Sequence, residues 1–317
     1  MFLYLYIALQ MHAIILFTAA IVQQKYRHRR SAFRTRLCES YIRQIVKMIF
    51  SEECCDIYPA PDNATNRWAL AEAIYTTMSH TYGTDTIVVR ELLRRYRLDT
   101  FLQQRIKWSS DPRKAHILML MSAIPSDTAS TQILRRYFHS SNRHIRISAL
   151  LATLAADPSR AITTISAVDF KLSPLDIARI IGLLRRGLLP IAYEPLLLSS
   201  NRNLQMLGLS IVRNFGIEIA DKQLQNMIAT ATDADVVHEA IYTLSSLGHS
   251  LGRTKVRERL STMTPRRRKQ LCRHLTQAGY SLAALQCLFS PSETRHSESI
   301  IKSYKRNIVC QQSSTIS

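Results

Sequence analysis

Arg253, Lys255, Arg257 and Arg259, followed by Arg266, Arg267, Arg268, Lys269 and Arg273, crowd basic side chains into one short stretch opposed only by Glu258. At that density guanidinium and ammonium groups make charge-assisted hydrogen bonds to phosphates or carboxylates. The stretch is therefore the candidate partner-binding site, set against the plainer reading of a solvated basic face. A second run, Lys25, Arg27, Arg29, Arg30, Arg34 and Arg36, meets no acid before Glu39. It is the candidate contact for anionic lipid headgroups. Motifs for covalent or hydrolytic chemistry are absent: there is no phosphate-binding glycine loop, no dinucleotide fingerprint, no paired-histidine zinc helix and no nucleophile elbow. His80, His116, His139 and His144 have no arranged partners in the sequence, and the Asp233/Asp235 pair suits a helix cap better than acid–base work. No catalytic, cofactor-binding or metal-ligating residue is singled out. The chain is expected not to be an enzyme and to need no cofactor.

Composition bounds the partner. The formal net charge of +19 requires an anionic one, with nucleic acid and acidic lipid as the first candidates. The six cysteines are too sparse for a disulfide framework and read as reduced thiols. Cys54-Cys55 and Cys272-Arg273-His274 lack the spacing of a metal site.

The elements that must position these residues begin with Phe2 to Val22, a stretch without a formal charge. It is long enough to cross the roughly 30 Å hydrocarbon core of a bilayer. No basic residue precedes it, and Thr18-Ala19-Ala20 makes a poor cleavage site, so an uncleaved anchor is expected in place of a signal peptide. The basic run after it puts the N-terminus outside and the rest of the chain in the cytoplasm. On that side the Asn63-Ala64-Thr65 acceptor would stay unglycosylated.

Beyond residue 110 the chain repeats. Asp111, Asn142, Ser173, Asn201, Asp233 and Thr264 are cap-type residues recurring at roughly 31-residue intervals. Seven places after each stand Leu118, Ala149, Ile180, Gly208, Ala240 and Leu271, and eight places after stand Met119, Leu150, Ile181, Leu209, Ile241 and Cys272. Both columns are apolar or small, as the packed side of a recurring first helix must be. A shorter second helix is expected in each unit, near Thr128–Phe138, Ser159–Asp169, Ile191–Leu198, Ala220–Ala231, Arg253–Met263 and Ser281–Phe289.

Thr232 to Gly248, TDADVVHEAIYTLSSLG, resembles the first helix of a HEAT repeat, through Asp233, Asp235, Val236, Val237, Ala240, Leu244 and Gly248. SSNRHIRISALLATLA fits more loosely, with Ile145-Arg146 at the family's Val-Arg place. The resemblance covers about Asp111 to Phe289 and implies an all-α fold: a right-handed α-solenoid of about six HEAT-like helix pairs behind a helical N-terminal cap. In the 233 unit His238 or Val237 replaces the family's arginine, so a polar ladder between repeats is expected to be broken.

The expected segments are 1–23 as a transmembrane helix, 24–50 as a basic juxtamembrane helix, 51–110 as the cap, 111–290 as the solenoid, and 291–317 as a basic helix and tail. These repeats serve unrelated partners, so the fold alone names none. The favoured reading is a membrane-tethered scaffold for a partner protein, one form of it being an accessory subunit of a membrane enzyme, with anionic lipid headgroups as a second contact. A nucleic-acid-binding module or repair enzyme is the alternative. It ranks second because tethering such an enzyme to a membrane span would be unusual, and because Asp169, Glu194 and Asp221 interrupt the second helices that line a basic track in DNA-binding proteins of this class.

Overall fold

The computed structural model describes residues 2–51, 55–81, 87–123, 133–185, 192–252 and 254–301, except for the side chains of 2–16, 19–21, 27, 28, 30 and 254. Among these residues all regular structure is helical and there is no strand. The chain divides into two compact units: Met1–Ala161 with Arg185–Leu189, and Ile162–Leu184 with Pro190–Ser317. The division falls inside the segment 111–290 that the sequence groups as one repeat array.

The first unit begins with α1, Phe2–Ser51, one uninterrupted helix where the sequence suggested segments at 1–23 and 24–50. No glycine or proline occurs between these ends, so nothing in the chain breaks it. Leu37, Tyr41, Ile45 and Met48, spaced three and four apart, bury one stripe of its C-terminal part against α2, Ala64–His80. Each such apolar side chain contributes about 1.5–3 kcal/mol. The connecting loop is clamped to α1: Gln44 donates to the Tyr58 carbonyl at 2.6 Å and accepts from its N–H at 2.9 Å. The Tyr41 hydroxyl donates to the Pro59 carbonyl at 2.6 Å. Asn63, the residue of the glycosylation sequence, is the N-cap of α2, its side chain accepting from the Asn66 N–H. The helices α3 (Ile87–Tyr96), α4 (Leu98–Ile106), α5 (Asp111–Met121) and α6 (Arg143–Ala156) complete this unit's main elements. Arg97, at φ 48° between α3 and α4, turns the chain through the left-handed region.

Among the described residues no helix is long and apolar enough to cross a membrane. Most side chains of the expected span 2–22 lie outside those residues.

The second unit holds most of α7 (Ala161–Ser166), then α8 (Pro174–Arg185), α9 (Glu194–Leu197), α10 (Arg202–Phe215), α11 (Asp221–Thr230), α12 (Ala234–Ser246), α13 (Thr254–Thr262), α14 (Pro265–Gln277) and α15 (Leu282–Gln286). A last helix covers 291–301, starting seven residues before the basic helix read from Glu298 onward. α10 packs on α12, α12 packs on α14, and the shorter α11 lies against both α12 and α13.

The cap residues explain where these helices start. Asn201 accepts from the N–H groups of Asn203 and Leu204, and Asp233 from those of Asp235 and Val236. In the first unit Asn142 does the same for His144. Ser173 and Asp176 form a reciprocal box, in which Asp176 accepts from both the Ser173 N–H and hydroxyl. At the last helix Glu293 likewise accepts from both the Ser290 N–H and hydroxyl. Asp111 and Thr264 provide no side-chain cap, Asp111 being already inside its helix. Of the two apolar columns, all members are buried except the half-buried Met119. At Gly208 a β-carbon would meet Leu196 Cβ and Leu197 Cδ2 at 3.0 Å and the Leu197 backbone nitrogen at 3.2 Å, so the glycine permits the close approach of α9 to α10.

Candidate partner-binding surface

The basic stretch of the second unit divides into two sets. Arg259, on α13, turns inward: its guanidinium donates to the carbonyls of Ile228 and Ala229 in the last turn of α11. Those carbonyls lack helical partners, and a cation there also suits the helix dipole. Arg267 reaches Asp235 at 3.1 Å on α12, and Arg268 reaches Glu293 at 3.0 Å on the last helix. The Glu293 carboxylate is only 10% exposed, so Arg268 neutralises a nearly buried charge. These three arginines are structural.

Lys255, Arg257, Arg266, Lys269 and Arg273 are exposed, while Arg253 lies outside the described residues. Arg266, Lys269 and Arg273 stand at i, i+3 and i+7 of α14, within one narrow stripe of that helix. The surface open to an acidic partner is therefore smaller than the sequence suggested. The first turn of α14 contains no acid, so its cations oppose the positive end of the helix dipole. Asp235 offsets this from the neighbouring helix.

Asp235 also receives Arg202 at 3.1 Å, and Arg202 Nε lies 3.4 Å from Asp233 Oδ2, at ion-pair distance without hydrogen-bond alignment. The result is a ladder, Arg202–Asp235–Arg267, across the first turns of α10, α12 and α14. The expectation of a broken ladder thus needs correction. The arginines stand at the first and third residues of their helices, not at the places of Val237 or His238. Burial alone would raise the Asp235 pKa, but the Arg202 hydrogen bond and the charges of Arg267, Arg202 and Lys171 outweigh it and hold the carboxyl below its usual value.

Behind the ladder His238 Nε2 lies 3.1 Å from His274 Nδ1, with Tyr242 beside the His274 ring. Glu239 pairs with Arg213, whose guanidinium lies 4.7 Å from the Tyr242 ring centroid. Burial, then the neighbouring His274, push the His238 pKa down to about 4, so this imidazole is neutral at pH 7. A cleft of about 340 Å³ lies alongside, lined by Leu197, Leu198, Arg202, Gln223, Asn226 and Asp233 among others. Arg202 and Asp233, its charged groups, are committed to each other and to the ladder.

The candidate lipid-contact residues lie along α1. Lys25, Arg29 and Arg36 are exposed, and the side chains of Arg27 and Arg30 are outside the described residues. Arg34 is half-buried and pairs with Glu72 at 3.4 Å. Glu72 also meets His116 Nε2 at 3.3 Å, giving His116 a partner that the sequence did not show. Among the described residues no cluster of His, Cys, Asp and Glu could hold a metal ion, and Cys38, Cys55, Cys272 and Cys287 are free thiols. Burial, then Glu72, push the Cys38 thiol up to about 11, which leaves it unreactive.

No protein-family model, curated protein or solved structure matches the chain.

Proposed function

We propose that this chain is a membrane-tethered scaffold: a HEAT-like α-solenoid of about six helix pairs, anchored through residues 2–22 with its N-terminus outside, that binds a partner protein in the cytoplasm. The observation that carries the reading is the ladder Arg202–Asp235–Arg267, with the capping side chains at Asn201 and Asp233. Equivalent polar groups at the first turns of every second helix are what a stacked repeat needs, since each pair buries its apolar face only against the next. The charge-free stretch Phe2–Val22, followed by basic residues, supports the tether and its orientation. The exposed Arg266, Lys269 and Arg273 form the contact for an acidic protein surface, and an accessory role beside a membrane enzyme fits a scaffold of this design.

The test has two parts. A reporter active only in the cytoplasm, fused to Ser317, is expected to be active while one active only outside is silent, and the chain should resist alkaline extraction from membranes. Affinity purification of the intact chain should recover a protein that Arg266→Glu/Lys269→Glu/Arg273→Glu loses. Release by alkali would defeat the tether. Tight duplex binding at physiological salt, destroyed by the same three changes, would move the reading to nucleic acid.

A further inference from the structure

Arginines in the first unit are placed on aromatic rings. Trp68 on α2 and Phe101 on α4 meet edge to face, with centroids 5.9 Å apart. Arg67 and Arg105 lie 5.9 and 5.5 Å from the Phe101 ring centroid, and Arg113 lies 5.6 Å from that of Trp68. Three guanidinium groups thus form a collar around one buried aromatic pair. The face of a ring attracts the cation but does not neutralise it. Arg67 is half-buried and donates its Nε–H to the Pro61 carbonyl at 3.1 Å, whereas Arg105 and Arg113 are exposed, with guanidinium N–H donors at the rim. Carboxylates nearby are already engaged: Glu72 by Arg34 and His116, Asp111 by Lys114. In the turn from α4 to α5 Lys107 is exposed, and Trp108 is the most exposed large hydrophobic residue described, at 92%.

We propose that this collar, with Lys107 and Trp108, docks on the phosphate headgroups of an anionic bilayer surface. The proposal rests on the tethered reading above and names a second membrane contact for it. Position supports a bilayer. His116 stacks on Trp68 and shares Glu72 with Arg34, so the collar sits beside the turn of α1 that carries Arg34. From Arg34 back to Val22 is about 18 Å along the helix axis, and a tilt of α1 brings the collar down to the headgroup layer. Composition agrees, because an exposed tryptophan directly after Lys107 and three residues after Arg105 suits the membrane interface. Single-stranded nucleic acid needs several free ring faces in succession. Here Trp68 and Phe101 are buried and already covered by guanidinium groups.

The experiment uses the full chain in lipid nanodiscs, with bromine-labelled acyl chains as the quencher of tryptophan emission. Discs containing phosphatidylserine should quench Trp108, and discs of phosphatidylcholine alone should not. Trp108→Phe should abolish the quenched component, leaving the emission of buried Trp68. Each basic residue contributes roughly fivefold to partition onto an anionic surface, so Arg105→Gln/Lys107→Gln/Arg113→Gln should lower the docked-to-free ratio by roughly a hundredfold. If the triple variant melts early, Lys107→Gln changes only a turn residue, keeps Trp108 as the reporter, and should still lower the docked-to-free ratio by roughly fivefold. Equal emission in the two kinds of disc would overturn the proposal, as would a single-stranded oligonucleotide that quenches Trp108 at physiological salt. Failure of the tether reads differently. The chain would then come off membranes with alkali, yet float with phosphatidylserine vesicles at low salt and release from them at high salt.

Discussion

The collar of the first unit and the ladder of the second are built from the same side chain with different partners. Arg67, Arg105 and Arg113 rest on rings, the last two exposed to solvent, whereas Arg202, Arg267 and Arg268 face carboxylates and Arg259 caps a helix end. The densest run of positive charge in the sequence therefore contains the more neutralised arginines. The more scattered ones, 38 and 8 residues apart, face rings in place of carboxylates. A guanidinium becomes a binding group through what it lacks nearby, and counting cations along the chain does not register that.

The largest effect expected from this contrast lies in the second unit. Arg267→Glu/Arg268→Glu places new carboxylates against Asp235 and the nearly buried Glu293, and should destabilise the fold by about 4 kcal/mol. Arg266→Glu/Lys269→Glu, on the exposed stripe, should stay within about 0.5 kcal/mol of the parent. Denaturant melts of the two double variants decide it, and equal losses would erase the distinction between structural and free arginines.

Acid should weaken the region behind the ladder next. His238 has a folded pKa of about 4 against an ordinary value of 6.5. Above pH 6.5 it is neutral in both states. As pH falls from 6.5 to 4 the unfolded chain takes up a proton that the folded chain refuses, so stability drops by up to about 1.4 kcal/mol per pH unit. The total is about 3 kcal/mol. His238→Gln should flatten this part of the stability–pH curve, and an unchanged slope would mean that the pair is not as desolvated as its geometry implies.

Smaller effects sharpen the local picture. Asn201→Ala removes the acceptor for two helix N–H groups at the start of α10 and should cost about 1 kcal/mol, read from thermal melts. Arg105→Gln should cost only about 0.5–1 kcal/mol, because the Phe101 ring stays packed beneath it. A loss comparable to that of the Arg267/Arg268 variant would make the collar a structural device like the ladder.

The parts of this molecule legible in the sequence are those decided locally. Asn142, Asn201 and Asp233 cap helices because an Asn or Asp side chain reaches an N–H two or three residues ahead, whatever the tertiary setting. The Ser173/Asp176 and Ser290/Glu293 pairs were equally readable, as a serine and an acid three apart with proline between. Leu37, Tyr41, Ile45 and Met48 declare their stripe by spacing alone. The ladder was not legible, since Arg202 finds Asp235 and Asp235 finds Arg267 only when three helices align at their first turns. Nor was the collar, whose members come from α2, α4 and α5. Only the four-residue spacing of Phe101 and Arg105 hinted at it. Hydropathy divides the N-terminal segments at residue 23, but helix continuity depends on backbone breakers, and α1 contains none.

That helix has a consequence for how order spreads along the chain. Among its described side chains the buried ones lie at positions 37 to 48, while Val22, Tyr26 and Phe33 are more than half exposed. Starting a helix is unfavourable by a factor of about 10⁻³, and lengthening one is close to neutral. On the C-terminal side the packed turns therefore serve as a nucleus, from which helix propagates into residues 22–36. The order there is borrowed from contacts made elsewhere. Tyr41→Ala, which loses both a fully buried ring and its bond to Pro59, should loosen the amides of residues 22–36 in hydrogen exchange although it touches none of them.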